Sequence, residues 1–137
     1  MDCVFCNIIA GKEPAEIIYE DENVISFLDI RPINFGHALV IPKKHYENFL
    51  AVPADEMNAV SNITQKIAEG VNKGLGCDGF NIIANNGKAA GQTVFHFHFH
   101  IIPRYNTDMF NYRPKLKSYD NGSMKEFAEK IRIAVNK

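Results

Sequence analysis

Gly91-Gln92-Thr93-Val94-Phe95-His96-Phe97-His98-Phe99-His100-Ile101-Ile102-Pro103 holds three of the five histidines of this 137-residue chain, spaced two apart. Phe95, Phe97, Phe99 and Ile101 fill the positions around them. A period of two predicts a β-strand, because successive side chains on extended backbone point to opposite faces. One face is apolar and belongs in a core, and the other is a row of imidazoles. At ~3.4 Å per residue, His96 and His98 stand ~6.8 Å apart, as do His98 and His100, whereas His96 and His100 stand ~13.6 Å apart. Neighbouring rings can share an ion, but the outer two cannot both reach one ion about 2.0–2.1 Å from each ring nitrogen. The three imidazoles therefore have different jobs. Gly91-Gln92-Thr93 before them reads as a loop that meets a ligand.

Outward from this stretch, residues 17–20 and 24–28 read as strands joined across the acidic turn Asp21-Glu22-Asn23. Residues 37–41 form a third strand, closed by Pro42. Residues 80–85 form a fourth, and 94–103 the fifth. Residues 3–10 suit one or two helical turns stopped by Gly11, and residues 45–50 a short helix. Over 54–75, Met57, Val60, Ile63, Ile67, Val71 and Leu75 recur at spacings of three and four and define one helical stripe. Asp55 and Glu56 favour its N-terminal dipole end, and Gly74 and Gly76 end it. Ser123-Met124-Lys125-Glu126 is a capping-box pattern that starts a last helix, with Phe127, Ile131 and Ala134 on one face. Residues 104–122 carry no pattern. Strands joined by short turns or by one long helix predict an α+β domain: a five-stranded, mainly antiparallel sheet with one long helix and a C-terminal helix.

A 46% hydrophobic, 23% charged chain of this length fits one domain with a single core. A net charge of −1 offers no basic surface for nucleic acid. No apolar run approaches the ~18 residues of a membrane span, and the N-terminus lacks a signal-peptide pattern, so a cytoplasmic location is expected. There Cys3-x-x-Cys6 reads as a metal or redox pair rather than a disulfide. Two thiolates at this spacing plus His45 and His96 make a complete, closed tetrahedral set for a structural Zn²⁺. The alternative is a free redox pair, although no thioredoxin-like βαβ pattern surrounds it. Cys77 sits alone and reads as a bystander.

His96-Phe97-His98-Phe99-His100-Ile101-Ile102 resembles the signature of the histidine triad (HIT) family, His-x-His-x-His followed by two apolar residues. The resemblance extends through Asp29-Ile30-Arg31-Pro32, the block from Gly36 to His45, Asn85-Asn86-Gly87 and Ala90-Gly91-Gln92-Thr93, in order over residues 3–104. It is nearest to the Hint-like bacterial branch that opens with Cys-x-x-Cys. It implies a single domain over 1–137, with a core at 3–104 and an extension at 105–137. It also implies a homodimer that binds purine nucleotides (AMP or GMP derivatives).

The implied chemistry is hydrolysis or transfer at the α-phosphate of nucleoside 5′-monophosphate derivatives, purine phosphoramidates above all, through a nucleotidyl-histidine. A neutral imidazole is nucleophilic near pH 7. The resemblance assigns attack to His98, a phosphate-oxygen contact to His100 and an active-site place to His37, whose alternative is a buried, hydrogen-bonded histidine. It gives Asp29 the ribose hydroxyls, the alternative being an exposed turn acid. It gives Asn85, Gln92 and Thr93 the α-phosphate or leaving group. Gly87 and Gly91 let backbone approach a phosphate closely, although this is not a Walker loop. Phe5, Ile8, Phe27 and Ile30 are candidates to wall in the base, or plain core. Two other functions compete: a Fhit-like dinucleoside polyphosphate hydrolase, to which Lys88 and Arg104 would supply cations, and a nucleotide-binding regulatory protein without catalysis.

Overall fold

The computed structural model describes residues 2–108 and 114–136. Val4–Ile9 form a short helix, α1, capped by Cys3, whose Sγ accepts the Cys6 N–H at 3.4 Å. Two strands follow, Ile17–Glu20 (β1) and Val24–Leu28 (β2). Their turn is closed by Asp21, whose Oδ1 accepts the N–H groups of Asn23 and Val24 at 2.8 Å each. Next come Ala38–Pro42 (β3), the helix Ala54–Leu75 (α2), Gly79–Ile83 (β4), Phe99–Arg104 (β5) and the helix Ser123–Val135 (α3). The sheet order is β1-β2-β3-β5-β4, with every neighbouring pair antiparallel, so the expected α+β architecture is the one observed.

α2 spans the residues its apolar stripe predicts. It runs through Gly74 and ends at Gly76, where φ is 60° and the N–H closes on the Asn72 carbonyl at 3.1 Å. Only glycine adopts that left-handed conformation without a steric penalty.

β2 and β3 are apolar at nearly every position because the sheet is covered on both faces. On one face Val24, Ala38, Val40, Phe97 and Ile101 pack with Val60, Ala68 and Val71 of α2. On the other, Ile25, Phe27, Leu39 and Ile41 pack with Cys3, Phe5 and Ile8 of α1. Each such side chain contributes about 1.5–3 kcal/mol on burial. The second face carries the chemistry. Leu39 pairs with His100 across β3 and β5, and His37, two residues before Leu39, shares that side.

Several local expectations need correction. β5 begins at Phe99, not at residue 94, because the Phe97 N–H donates to the Tyr46 carbonyl at 2.6 Å rather than to the ladder. Phe97 and Ile101 are core, as the alternation predicts, but Phe95 is 41% exposed. β4 stops at Ile83. No α-helix forms over residues 45–50: His45 lies in irregular chain, and a 3₁₀ turn capped by Asn48 follows at Phe49–Ala51. The capping box does not form, since Gly122 precedes the helix and Ser123 is its first residue, hydrogen-bonded instead to the Asp120 carbonyl at 2.6 Å. Of the unplaced stretch 104–122, residues 109–113 lie outside the described residues. Among the described residues, no helix is long and apolar enough to cross a membrane.

Candidate active site and metal centre

His96, His98 and His100 are held in three different settings, and in each the backbone dictates where the proton sits. A carbonyl oxygen only accepts, so the ring nitrogen against it carries hydrogen. His96 Nε2 donates to the Pro42 carbonyl at 2.8 Å, leaving a lone pair on Nδ1. His98 Nδ1 donates to the carbonyl of His96 at 2.7 Å, leaving the lone pair on Nε2. His37 Nδ1 accepts the Ile33 N–H at 3.1 Å, so its Nε2–H donates to His100 Nδ1 at 2.9 Å. The remaining hydrogen of His100 is then on Nε2. One site thus pairs a bare nucleophilic nitrogen on His98 with an N–H donor on His100, their rings 4.7 Å apart.

Burial keeps these rings neutral. It holds His98 and His37 below the usual imidazole value. It pushes His100 down to about 4, with His98 and His37 beside it adding to the effect. Asp29 stands at the end of β2, its Oδ2 3.7 Å from His37 Nε2 and its Oδ1 accepting the Arg31 N–H at 2.9 Å.

His98, His100, Asp29 and Thr93 line a cavity of about 450 Å³ whose other walls include Phe5, Ile8, Phe27, Ile30 and Leu39. That volume lies within the usual range for small-molecule sites. All four candidate wall residues face it, and Phe5, Ile8 and Phe27 serve the core as well. Phe5 stands edge-on to His98 at 5.0 Å and to His96 at 5.9 Å, so one ring buttresses both. Nothing in its sequence position signals that double contact.

The loop before the triad is held together by Gln92. Gln92 is buried; its Oε1 accepts the Gly87 N–H at 2.8 Å, and its Nε2 donates to the Glu47 and Val94 carbonyls at 2.7 and 3.1 Å. Its amide therefore ties the loop together. Asn85 lies behind Gly91 and is not among the residues lining the cavity. Arg104, a candidate polyphosphate contact, forms a two-pronged pair with Asp108 at 3.0 Å and donates to Asn81 at 2.8 Å. It is built into the β4–β5 end, and Asp108 is held well below the usual carboxylate range by it.

Cys3, Cys6, His45 and His96 come together as their pattern predicts, with ligand atoms all within 4.8 Å of one another. Cys3 Sγ lies 3.5 Å from His96 Nδ1, and Cys6 Sγ lies 3.4 and 3.6 Å from the Nδ1 atoms of His45 and His96. Tetrahedral bonds of about 2.0–2.3 Å separate ligand atoms by about 3.3–3.8 Å. The His96 tautomer fits too, because Pro42 takes the Nε2 proton and frees the nitrogen that faces the sulfurs. Burial, and then Cys3 alongside, pushes the Cys6 thiol up; a soft divalent cation reverses this by binding the thiolate.

A family model described as "HIT domain" matches residues 10–107. An uncharacterized HIT-like protein of Methanocaldococcus jannaschii is 57% identical over 106 residues, 77% of this chain and 81% of that protein. An adenylylsulfatase of Arabidopsis thaliana is 44% identical over 107 residues, 78% of this chain and 54% of that protein. A zinc-bound histidine triad family protein of Mycobacterium smegmatis superposes with a TM-score of 0.77 at 43% identity, covering 98% of both chains.

Proposed function

Because the chain belongs to the HIT domain family, we propose that it cleaves nucleoside 5′-monophosphate derivatives at the α-phosphorus through a covalent bond to His98 Nε2. The single observation that carries this reading is the hydrogen bond from His98 Nδ1 to the His96 carbonyl, which leaves Nε2 bare at the cavity wall. Attack forms the Nε2–P bond and breaks the bond from phosphorus to the leaving group. The positive charge that develops on the imidazole is shared with the His96 carbonyl through Nδ1–H. His100 Nε2–H binds a phosphoryl oxygen, held in that tautomer by His37. A departing amine needs a proton, which solvent supplies by way of the Thr93 hydroxyl at the cavity mouth. Water then attacks the nucleotidyl-His98, releases the nucleoside monophosphate and returns a proton to solvent.

Purine phosphoramidates fit best. The apolar walls suit a base, and Asp29 suits the ribose hydroxyls. With Arg104 engaged by Asp108, Lys88 is the one cation within the loop 85–93, which favours a small leaving group over a second nucleotide with several phosphates. The Arabidopsis relative, named for cleaving an adenylyl sulfate, also has a small leaving group.

Cys3, Cys6, His45 and His96 hold a structural zinc in this reading. The ion there supplies a cross-link between α1 and the two loops carrying the histidines. The absence of a disulfide among Cys3, Cys6 and Cys77 suits the reducing cytoplasm. A second copy pairs along β4, an edge strand whose Phe80 and Ile82 stand exposed beside α2.

His98→Asn tests the nucleophile. It should retain nucleotide binding while turnover falls by several orders of magnitude, and rapidly quenched wild-type protein should carry a nucleotidyl group on His98 by mass spectrometry. Undiminished turnover in the variant refutes the assignment, and a wild-type protein that binds nucleotide with neither turnover nor adduct is a binding module.

A further inference from the structure

The cavity has two chemically different ends. At one lie His98, His100 and Thr93. Phe5 touches His98, and from there α1 leads away through Ile8, about 4.5 Å further along the axis at 1.5 Å per residue. Beyond Ile8 the chain reverses. Gly11 takes φ 76°, its N–H bonds the Ile8 carbonyl at 3.0 Å, and the N–H groups of Lys12 and Glu13 both close on the Asn7 carbonyl at 2.8 and 3.2 Å. This reversal brings Glu13, Pro14 and Ala15 into the cavity lining beyond Ile8.

Glu13 sets a carboxylate beside the apolar lining, whose other polar residues are Asp29, Arg31, Thr93, His98 and His100. Val4, Phe5, Ile8, Phe27, Leu39 and Val94 give a base stacking surface but no hydrogen bonds to its edge. Asp29 and Arg31 belong to the end of β2, where the Asp29 carboxylate turns back onto the Arg31 N–H and toward His37. The Glu13 carboxylate has no hydrogen-bond or ion-pair partner among the described residues.

We propose that Glu13 reads the base and selects guanine over adenine. The inference rests on the nucleotide reading of this cavity. A carboxylate only accepts hydrogen bonds. Guanine presents N1–H and the N2 amino group side by side, so its edge meets both carboxylate oxygens in a bidentate, charge-assisted pair. Adenine offers the N6 amino group beside the N1 lone pair, so one bond forms and one lone pair faces an anion. Glu13 is exposed, so water takes the oxygen that adenine leaves unpaired and the preference for guanine is modest. Hypoxanthine, with N1–H but no N2 amine, falls between.

The experiment compares guanosine and adenosine 5′-phosphoramidates of the same amine in wild-type, Glu13→Ala and Glu13→Gln proteins, with GMP and AMP binding measured by calorimetry in parallel. Wild type should favour guanosine at least about tenfold in kcat/KM, about 1.4 kcal/mol. Glu13→Ala should bring the ratio close to unity. Glu13→Gln should also lower the ratio, because a carboxamide pairs with either base: it accepts from N6 and donates to N1 of adenine, or accepts from N1–H and donates to O6 of guanine. A wild-type ratio at or below unity, or a ratio that neither substitution changes, overturns the proposal. If neither phosphoramidate is cleaved, the hydrolase reading fails, and the GMP-to-AMP affinity ratio across the three proteins still decides Glu13. If neither nucleotide binds, both readings fall.

Discussion

Replacing Phe5 by leucine probes the shared support of the two sites. The Phe5 ring is buried and makes edge contacts with Phe27 at 5.4 Å, His96 at 5.9 Å and His98 at 5.0 Å. Leucine keeps an apolar side chain of similar bulk but has no ring edge to offer. Taking each lost contact near the low end for aromatic pairs, about 0.5 kcal/mol, and adding about 0.5 kcal/mol for imperfect repacking, Phe5→Leu should cost about 2 kcal/mol. At about 2.1 cal/mol/K of unfolding entropy per residue over 137 residues, that lowers Tm by about 7 K. Zinc content should hold at one per chain, because none of the ligand atoms belongs to Phe5. His98 loses one support, keeping the His96 carbonyl and the edge contact with His100, and kcat should fall about tenfold. Calorimetry, elemental analysis and initial rates on the same preparation read all three. A Tm within about 1 K of wild type refutes the packing account, and an unchanged kcat alongside the expected Tm loss refutes the buttressing of His98.

Two further outcomes are expected. Cys3→Ser should reduce zinc, measured by elemental analysis of protein purified without added metal, well below one per chain and lower Tm; an undiminished equivalent of zinc would show that the site is misassigned. For pH, folding lowers the values of His37, His98 and His100, the last to about 4, against about 6.5 in the unfolded chain. The unfolded state therefore binds more protons between about pH 6.5 and 4, and stability should be level above pH 6.5 and decline as pH falls through that window. kcat/KM should likewise stay flat down through pH 6.5 and decline only in more acid solution. A rate that halves at pH 6.5 contradicts the burial of the nucleophile.

Where pattern and local chemistry agree, the sequence is a good guide. The stripe from Met57 to Leu75 announces α2, and the alternation of Phe97 and Ile101 with histidines announces which side chains share a face. The cluster of Cys3, Cys6, His45 and His96 was legible because its four residues are of scarce types and chemically complete. What the sequence does not show has one cause, a distant partner that local pattern does not contain. Phe97 donates to Tyr46, 51 positions upstream in the chain, and so the segment before Phe99 leaves the ladder. Gln92 stands in a loop that suits a phosphate, yet Glu47 and Gly87 claim its amide. Arg104 reads as a free cation until Asp108 and Asn81 are placed around it. Glu13 carries no signal in sequence at all, because only the reversal at Gly11 brings it to the cavity.

Residue 96 serves the molecule twice, through parts that differ in their exposure to genetic change. Its imidazole faces the two sulfurs and disappears with a single codon. Its carbonyl, which fixes the proton on His98, belongs to the main chain and is present whatever amino acid stands there. A lineage can therefore lose the proposed metal ligand by altering the ring while the carbonyl that leaves His98 Nε2 bare is inherited intact. The cross-link is negotiable in descent, and the tautomer is not.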